Sequence, residues 1–257
     1  MDKLPVAPGT HKPPILWCHP YKLGRKAVVR DSRTLAALRY AKSLPVPPAS
    51  VDWSKGLDAW GMMLNDKLGC CAIAGVGHAV QTWTQANGRI FTIPDSEILR
   101  NYEMLGGYDP SKPETDEGCI LLNVLKSWKN LGVSGHRLDA FGYVNRHNHD
   151  EVEAAINLFG ALYIGFQVPS NLDETPGATW STQGASDVEG GHCVILVGYD
   201  AQTVTVVSWG RIYKMTWDFF GEFVDEVYAP LSFDWISGAV SPGGFDKAAL
   251  ESDLASL

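Results

Sequence analysis

The sequence is poor in basic residues and has no run of them. Its 257 residues include 21 Lys and Arg against 29 Asp and Glu, which gives a formal net charge of −8. Nucleic-acid binding generally needs lysines and arginines concentrated on one surface. We therefore expect no nucleic-acid partner, and the composition is typical of an ordinary globular protein.

Long apolar stretches are also missing. Runs such as residues 193–198 fall far short of the roughly 20 apolar residues that span a membrane. Residues 1–20 are broken by prolines and contain no apolar core of the kind that a signal peptide requires. We therefore expect no membrane partner, a cytoplasmic location and no secretion by a signal peptide.

Cysteine is scarce, and the five cysteines are an odd number. With no secretion signal expected, this count predicts free thiols in a reducing compartment rather than a disulfide framework. Cys70 and Cys71 have no second cysteine pair to complete a zinc site, and His147 and His149 lie in a polar stretch typical of a turn. We expect no metal and no other cofactor.

The chain divides into four stretches of different character. Residues 1–50 hold eight of the fifteen prolines and form a Pro-rich N-terminal arm. Residues 51–135 are predicted to form a helical lobe, residues 136–235 a strand-rich lobe, and residues 236–257 a tail with a short helix. A helical half followed by a strand-rich half predicts an α+β fold with a cleft between the two.

Hydrophobic patterning places the main elements. Residues 71–85 are almost free of charge and rich in small side chains, which predicts a buried central helix. The aromatic spacing of residues 216–227 leaves helix and strand equally open. Further helices are predicted at 94–105, 120–131 and 150–159, and strands at 137–144, 162–168, 193–199 and 204–209, the last two as a hairpin.

Three motifs occur in order along the chain: NDKLGCCA at 65–72, GGHCVILVGY at 190–199 and SWG at 208–210. In this order and at these separations they resemble the cysteine, histidine and Ser-Trp-Gly blocks of papain-like (C1-type) cysteine peptidases. With VDW at 51–53 and KLGRK at 22–26, the set is closer still to uncharacterised papain-like proteins of tailed bacteriophages. The resemblance implies a papain-like fold, in which a helical lobe precedes a strand-rich, β-barrel-like lobe.

Cys71 is the candidate nucleophile and His192 its partner base. Cys71 opens the apolar helix, where the positive end of the helix dipole is expected to lower the pKa of its thiol. A protonated His192 from the other lobe would hold the thiolate as an ion pair. In papain relatives an amide side chain lies six residues before the nucleophile, which is Asn65 for Cys71 but Leu64 for Cys70. The resemblance therefore favours Cys71.

Asn65 is the candidate oxyanion donor, in place of the glutamine that the family has. Its side chain is one methylene shorter, so its reach to an oxyanion is left open, and the backbone N–H of Cys71 would be the second donor. Asp66 is the alternative at this site, but its carboxylate would repel an oxyanion.

The third motif departs from the family pattern. Papain relatives have asparagine immediately before Ser-Trp-Gly, where it orients the histidine ring, whereas this chain has Val207, which accepts no hydrogen bond. Ser208, Glu189 and Asp187 are the candidates for orienting His192 in its place. The same departure is compatible with a chain that is no longer a catalyst.

Four further residues are expected at the cleft. Trp209 would cover the histidine, with an ordinary core tryptophan as the alternative. Glu117 and Gly118 stand where papain relatives place a glycine-rich wall, with a turn at a helix start as the alternative. Gly191 belongs to the histidine motif and is expected at the same cleft.

Two functions follow from these observations. The first is a papain-like cysteine peptidase or amide hydrolase that acts on a peptide or protein substrate through its Cys–His pair. The second is a weakly active or inactive papain-fold protein that serves as a structural or binding component, with phage structural proteins as partners. A phage-encoded chain would lie in the host cytoplasm or the virion. The Pro-rich arm adds a third role, a built-in inhibitor of the cleft.

Overall fold

The computed structural model describes residues 20–32, 34, 36–37, 46–184 and 187–236. The short helix expected in the C-terminal tail and most of the Pro-rich arm therefore lie outside the described residues. Within the described ranges, no helix has the length and apolarity that crossing a membrane requires.

In the described part of the first half, three α-helices follow one another: α1 (Cys71–Ala86), α2 (Asp95–Gly106) and α3 (Leu121–Asn130). Helix α1 is buried along almost its whole length, as its lack of charge predicted, and it packs against strands of the second half. Helix α2 ends at Gly107, whose φ of 72° lies in the left-handed region that favours glycine. The three predicted helices are confirmed, with each bound shifted by one residue at most.

Among the described residues, the second half supplies seven strands of an eight-stranded sheet, whose remaining strand precedes α1. It also contains two further helices, α4 (His149–Phe159) and α5 (Trp217–Phe223). The strands are β1 (Val51–Asp52), β2 (Leu138–Tyr143), β3 (Leu162–Pro169), β4 (Thr179–Trp180), β5 (Val188–Tyr199), β6 (Thr203–Ser208), β7 (Arg211–Thr216) and β8 (Val224–Ser232).

The sheet is open. Its strands follow the order β2, β8, β3, β5, β6, β7, β4, and β1 pairs with β5. The path ends at β2 on one side and at β4 on the other, and these two strands do not pair within the described residues. Strand β4 has only two residues, which is too short an edge to close a barrel. The β-barrel-like description of this lobe was therefore wrong, whereas the mixed α+β class is confirmed.

Strand β5 begins five residues earlier than expected. His192 therefore lies inside a strand, directly opposite Phe166 on β3. Strands β5 and β6 form the predicted hairpin, and a side-chain oxygen of Asp200 accepts two backbone N–H groups in its turn. The stretch 216–227, which the pattern left open, is both kinds of element, because α5 is followed directly by β8.

The first turns of α1 lie against β3 and β5. The Tyr163 hydroxyl on β3 donates to the carbonyl of Ala72 at 2.7 Å. A Cβ added to Gly75 would meet the Tyr163 ring at 3.0 Å and the sulfur of Cys193 at 3.3 Å, so the small residues of α1 permit this close approach. The packing brings the start of α1, with Cys71, against the middle of β5, where His192 lies.

Candidate active site

Cys71 is the first residue of α1 and is fully buried. Its sulfur faces the backbone N–H groups of Cys193, Gly24 and Ala72. Burial raises the pKa of the Cys71 thiol from 9.0 to about 11, although these N–H groups and the charge of Arg25 act to lower it. The expected fall in this pKa is therefore wrong for the structure as it stands, because loss of water outweighs the favourable field at the helix start.

Cys70 points elsewhere. It is also fully buried, but its thiol donates to the carbonyl oxygen of Met63 at 3.4 Å. Burial raises the pKa of Cys70 well above its ordinary value, and the neighbouring Cys71 and Asp116 add to the rise. The two cysteines therefore differ in what surrounds the sulfur. The Cys71 sulfur faces backbone N–H groups from both halves of the chain, Ala72 and Cys193, whereas the Cys70 thiol bonds within its own loop.

His192 is held from two sides. Its Nε2 lies 2.7 Å from the Ser208 hydroxyl oxygen, and its ring is fully buried. The ring stacks on Trp209 with centroids 4.3 Å apart and meets Phe166 edge-on at 5.8 Å. Of the three candidates for orienting the ring, Ser208 has a described hydrogen bond to it.

The other two orienting candidates lie at the beginning of β5. Asp187 is exposed and directly precedes the strand, and Glu189 is its half-buried second residue. Val207 is buried on β6 opposite Ile195 and Ile212. Because neighbouring side chains of a strand point to opposite faces, Val207 faces away from the side on which Ser208 contacts the histidine.

Asn65 lies in a tight turn just before α1 and is almost completely buried. Its Nδ2 donates to the carbonyl of Leu68 at 3.4 Å, which is a long bond within its own turn. The two preceding residues, Met63 and Leu64, have φ of 55° and 60°, in the left-handed region that such side chains rarely adopt. Backbone strain of this kind is commonly stored at functional sites.

A stretch of the N-terminal arm, residues 20–28, runs between the two halves; we call it the cleft segment. On the strand side, the Arg25 N–H donates to the carbonyl of Gly191 at 3.0 Å. On the helical side, the Cys119 N–H donates to the carbonyl of Gly24 at 2.8 Å. The segment is therefore hydrogen-bonded to both halves where they meet.

Gly24 lies where a side chain could not fit. A Cβ on Gly24 would overlap the carbonyl group of Gly69, and a Cβ on Gly118, which has φ of 80°, would overlap the carbonyl of Gly24. Because the Gly24 N–H also faces the sulfur of Cys71, the cleft segment covers the thiol.

Both expected cleft walls contact the cleft segment. The fully buried Trp209 ring lies against His192 and also stacks on Tyr21 of the cleft segment, with centroids 5.0 Å apart. On the helical side, the exposed Glu117 lies 3.5 Å from the Lys26 ammonium. Trp209 thus does both things considered for it, since it is a core residue and it adjoins the histidine.

A buried polar network, missed at the level of sequence, links the helical wall to the start of α1. The Asp116 carboxylate accepts from the Gly69 N–H at 2.8 Å and from the Tyr102 hydroxyl at 2.6 Å. The Tyr102 oxygen in turn accepts from the Gly118 N–H at 2.9 Å. Asp116 therefore holds Gly69 directly and Gly118 through Tyr102, and these are the two glycines that Gly24 packs against.

The described part of the chain contains no group of three or more His, Cys, Asp or Glu side chains placed to hold a metal ion. His149, one of the two histidines in the polar stretch, stacks on Trp217 with centroids 4.5 Å apart. The described cysteines Cys70, Cys71, Cys119 and Cys193 are free and buried.

Solved structures with a similar architecture include cysteine proteases. No protein-family model matches the chain, and no curated protein matches its sequence. Xylellain, a cysteine protease from Xylella fastidiosa, is similar with a TM-score of 0.64 and 15% identity, covering 82% of this chain and 96% of that one. Digestive procathepsin L 3 from the larval midgut of Tenebrio molitor gives 0.58 and 13%, over 77% of this chain and 74% of that one.

A third similar structure is the Carica candamarcensis cysteine protease CMS1MS2 in complex with E-64. Its TM-score is 0.52 at 16% identity, over 72% of this chain and 98% of that one. At such identities the likeness shows the fold alone. The chain thus has a papain-like cysteine protease fold.

Proposed function

We propose that this chain is a papain-like cysteine peptidase or amide hydrolase, with Cys71 as nucleophile and His192 as general acid and base. The observation that carries the proposal is the backbone N–H of Cys193, the residue that follows His192, at the sulfur of Cys71 on the first turn of α1. The Ser208 hydroxyl at Nε2 of His192 supports it.

The reaction would run in two stages. In the first, the Cys71 sulfur forms a bond to the carbonyl carbon of the scissile amide, and its proton passes to His192. His192 then delivers that proton to the leaving nitrogen as the carbon–nitrogen bond breaks, which leaves a thioester on Cys71. In the second, His192 takes a proton from water, whose oxygen attacks the thioester carbon and releases the acid and the free thiol.

The negative oxygen formed in each stage needs donors. The backbone N–H of Cys71 and the side-chain amide of Asn65 are the proposed pair, with the strained turn at Met63 and Leu64 holding Asn65 beside the start of α1. To donate to substrate, Asn65 must give up its 3.4 Å bond to Leu68, which its length makes weak.

The cleft segment would make the intact chain a latent form of this enzyme. Gly24 lies over the Cys71 sulfur, and burial keeps the thiol protonated at neutral pH, whereas the thiolate is the nucleophile. One of the similar structures is a procathepsin. The role of built-in inhibitor considered for the N-terminal arm is therefore part of the proposal, with residues 20–28 as its agent.

The test is thiol labelling by an E-64-type epoxide, followed by peptide mapping, on the intact chain and on Gly24→Ala. A Cβ at Gly24 would overlap Gly69, so the variant cannot seat the cleft segment. Gly221→Ala is the matched control, because a Cβ there meets nothing within 4 Å. We expect selective labelling of Cys71 in Gly24→Ala and little in the other two. Failure of Cys71 to react in Gly24→Ala at neutral pH, or preferential labelling of Cys70, would refute the assignment.

The second candidate is a papain-fold structural or binding component of a phage particle. It is supported by the resemblance to phage papain-like proteins and by the cleft being filled by the chain's own residues. On this proposal the chain would reside in the host cytoplasm or the virion and contact phage structural proteins. A Cys71→Ala substitution in the phage that leaves assembly and infection unchanged would favour this candidate over the hydrolase.

A further inference from the structure

The side chain of Arg25, in the cleft segment, is buried in an acidic pocket. Only 1% of the side chain is exposed. Its two terminal nitrogens donate to the two oxygens of Asp225 at 2.7 and 2.6 Å, and one of them also donates to Glu226 at 2.8 Å. The contact with Asp225 is the bidentate fork geometry that distinguishes arginine from lysine.

A bulge in β8 explains why two consecutive carboxylates reach one guanidinium. Gly165 of β3 pairs with Glu226, and the next residue, Phe166, pairs with Val224, so Asp225 is the extra residue. Consecutive side chains of a regular strand would point to opposite faces. The bulge re-aims Asp225, and such irregularities are common beside active sites.

The walls of the pocket are shaped for a long flat side chain. A Cβ on Gly165 would come within 2.6 Å of Arg25 Cδ, and one on Gly191 would come within 2.9 Å of its Nε. The two glycines therefore leave a slot whose inner end carries the carboxylates. Any larger residue at either position would obstruct the arginine stem.

The carboxylates are held by neutral donors as well as by Arg25. Gln167 Nε2 donates to Asp225 at 2.7 Å, and the Tyr228 hydroxyl donates to Glu226 at 3.1 Å. These two partners belong to the strand-rich half and remain when the cleft segment leaves. The pocket is thus organised independently of Arg25, but an empty pocket would hold two carboxylates without a cation.

The pocket opens beside the candidate nucleophile. Arg25 follows Gly24, whose N–H faces the Cys71 sulfur, and the charge of Arg25 acts on that thiol. The Arg25 N–H is bonded to Gly191, the residue before His192. A peptide that replaced the cleft segment would therefore present one side chain to the pocket from a residue next to the one over the sulfur.

We propose that the pocket formed by Gly165, Gly191, Asp225 and Glu226 selects an arginine side chain of the peptide substrate, and that Arg25 fills it in the covered chain. This inference rests on the proposed function and adds the substrate class. A substrate that lies in the same direction as the cleft segment carries its arginine immediately after the attacked residue. One that lies in the opposite direction carries it immediately before.

Binding is tested without catalysis, on full-length Arg25→Ala, whose pocket lacks its guanidinium. Ethylguanidinium and its neutral counterpart ethylurea are the probes, and thermal unfolding is the readout. We expect ethylguanidinium to raise the Tm of Arg25→Ala, ethylurea to leave it unchanged, and wild type and Arg25→Ala/Glu226→Gln to show no rise. Equal effects of the two probes, or an equal rise in wild type, would overturn the proposal. Arg25→Lys supplies a second folded variant, in which the same rise should be smaller.

Selectivity is tested with epoxide-bearing peptides that differ only in arginine or citrulline next to the reactive centre, in each of the two directions. The background is Gly24→Ala/Arg25→Ala, in which the cleft segment cannot seat over Cys71. In it we expect the arginine peptide to modify Cys71 about 100-fold faster in one direction, because a close buried charge pair is lost with citrulline. The preference should collapse when Glu226→Gln is added. Equal rates for the two peptides would reject the pocket while upholding the nucleophile. A Tm rise with no Cys71 modification would uphold the pocket while rejecting the proposed function.

Discussion

At the scale of single residues, the site depends on which side chain of β6 faces the histidine. The family pattern draws attention to Val207, but alternation along the strand directs Ser208 to His192, with 2.7 Å between the hydroxyl oxygen and Nε2. A hydroxyl can accept the Nε2 proton as an amide oxygen would. The Ser208 hydroxyl is thus placed to make the hydrogen bond that valine cannot make.

We expect Ser208→Ala to lower kcat/KM about 2- to 10-fold, because one neutral hydrogen bond is worth about 0.5–1.5 kcal/mol. The measurement uses a Gly24→Ala background, in which the cleft is uncovered. Ser208→Thr retains the hydroxyl and should keep most of the activity, and Ser96→Ala, at an exposed position of α2, is the control. Equal activity of Ser208→Ala and Ser208→Thr would show that the hydroxyl does not orient the ring.

The buried Cys71 thiol also predicts a pH dependence of stability. Its pKa of about 11 in the folded chain exceeds the ordinary 9.0, so between these values the unfolded chain binds fewer protons than the folded one. Stability must therefore fall as pH rises through this window, by about 3 kcal/mol for a shift of two units. Urea unfolding of wild type and Cys71→Ala isolates this contribution, since other groups titrate in both. Parallel stability curves from pH 8 to 11 would contradict it.

Sequence reasoning singled out Cys71 and His192 as candidates but not their surroundings. A motif identifies Cys71 because its neighbours in sequence carry the information. The rise in its pKa comes from burial. The cleft segment that covers the thiol includes Gly24, which lies 47 residues earlier in the chain, and no local pattern reports that burial. The contact of Ser208 with His192 depends in the same way on strand register, which a valine at position 207 does not reveal.

At the scale of elements, the start of α1 is fixed from outside the helix. Asp116 accepts the Gly69 N–H and the Tyr102 hydroxyl, and Tyr102 accepts the Gly118 N–H. Tyr102 is fully buried on α2, so this network joins α2, the loop before α3 and the residues that lead into Cys71. It therefore ties Gly118 to the residues that lead into Cys71.

We expect Tyr102→Phe to lower the free energy of unfolding by about 1–3 kcal/mol, because it leaves the buried Gly118 N–H without its acceptor. Epoxide labelling of Cys71 in the Gly24→Ala background should also slow, since the wall and the start of α1 lose their common anchor. Tyr143→Phe, at a half-exposed ring on β2, is the matched control for loss of a hydroxyl. If the two variants are equally stable in urea, the network has no structural role.

The elements were predictable where the residue pattern fits only a helix or only a strand. The charge-free stretch that became α1 has no competing pattern, and the hairpin of β5 and β6 has β-branched residues on both sides of an Asp turn. Residues 216–227 stayed undecided because their aromatic spacing suits both of the elements that share them, α5 and β8. The bulge at Asp225 depends on pairing with β3 and is invisible to any local pattern.

At the scale of the whole molecule, the cleft segment joins the two halves and covers the Cys71 thiol between them. It is anchored by backbone bonds to Cys119 and Gly191, by Arg25 in its pocket and by Tyr21 on Trp209. Because the segment is covalently attached, its effective concentration at the cleft is high whatever the protein concentration. The cover is therefore insensitive to dilution as long as the chain is intact.

Cutting the chain after the cleft segment should convert this cover into a separable inhibitor. A specific protease site inserted after Val29, which is 43% exposed, lies outside the buried anchors. After cleavage we expect labelling of Cys71 to stay slow at high protein concentration and to rise on dilution, as the fragment dissociates. The uncut chain should show no such dependence.

A synthetic peptide of residues 20–28 should restore the block in the cut and diluted chain. The same peptide with Arg25→Ala should bind about 100-fold more weakly, because it leaves Asp225 and Glu226 without their cation. The peptide with Lys22→Ala is the matched control, since that ammonium is half exposed and lies 3.9 Å from Asp116. If dilution leaves labelling of the cut chain unchanged and slow, the segment does not limit access to Cys71. If the arginine and alanine peptides inhibit equally, the segment is held by its backbone alone.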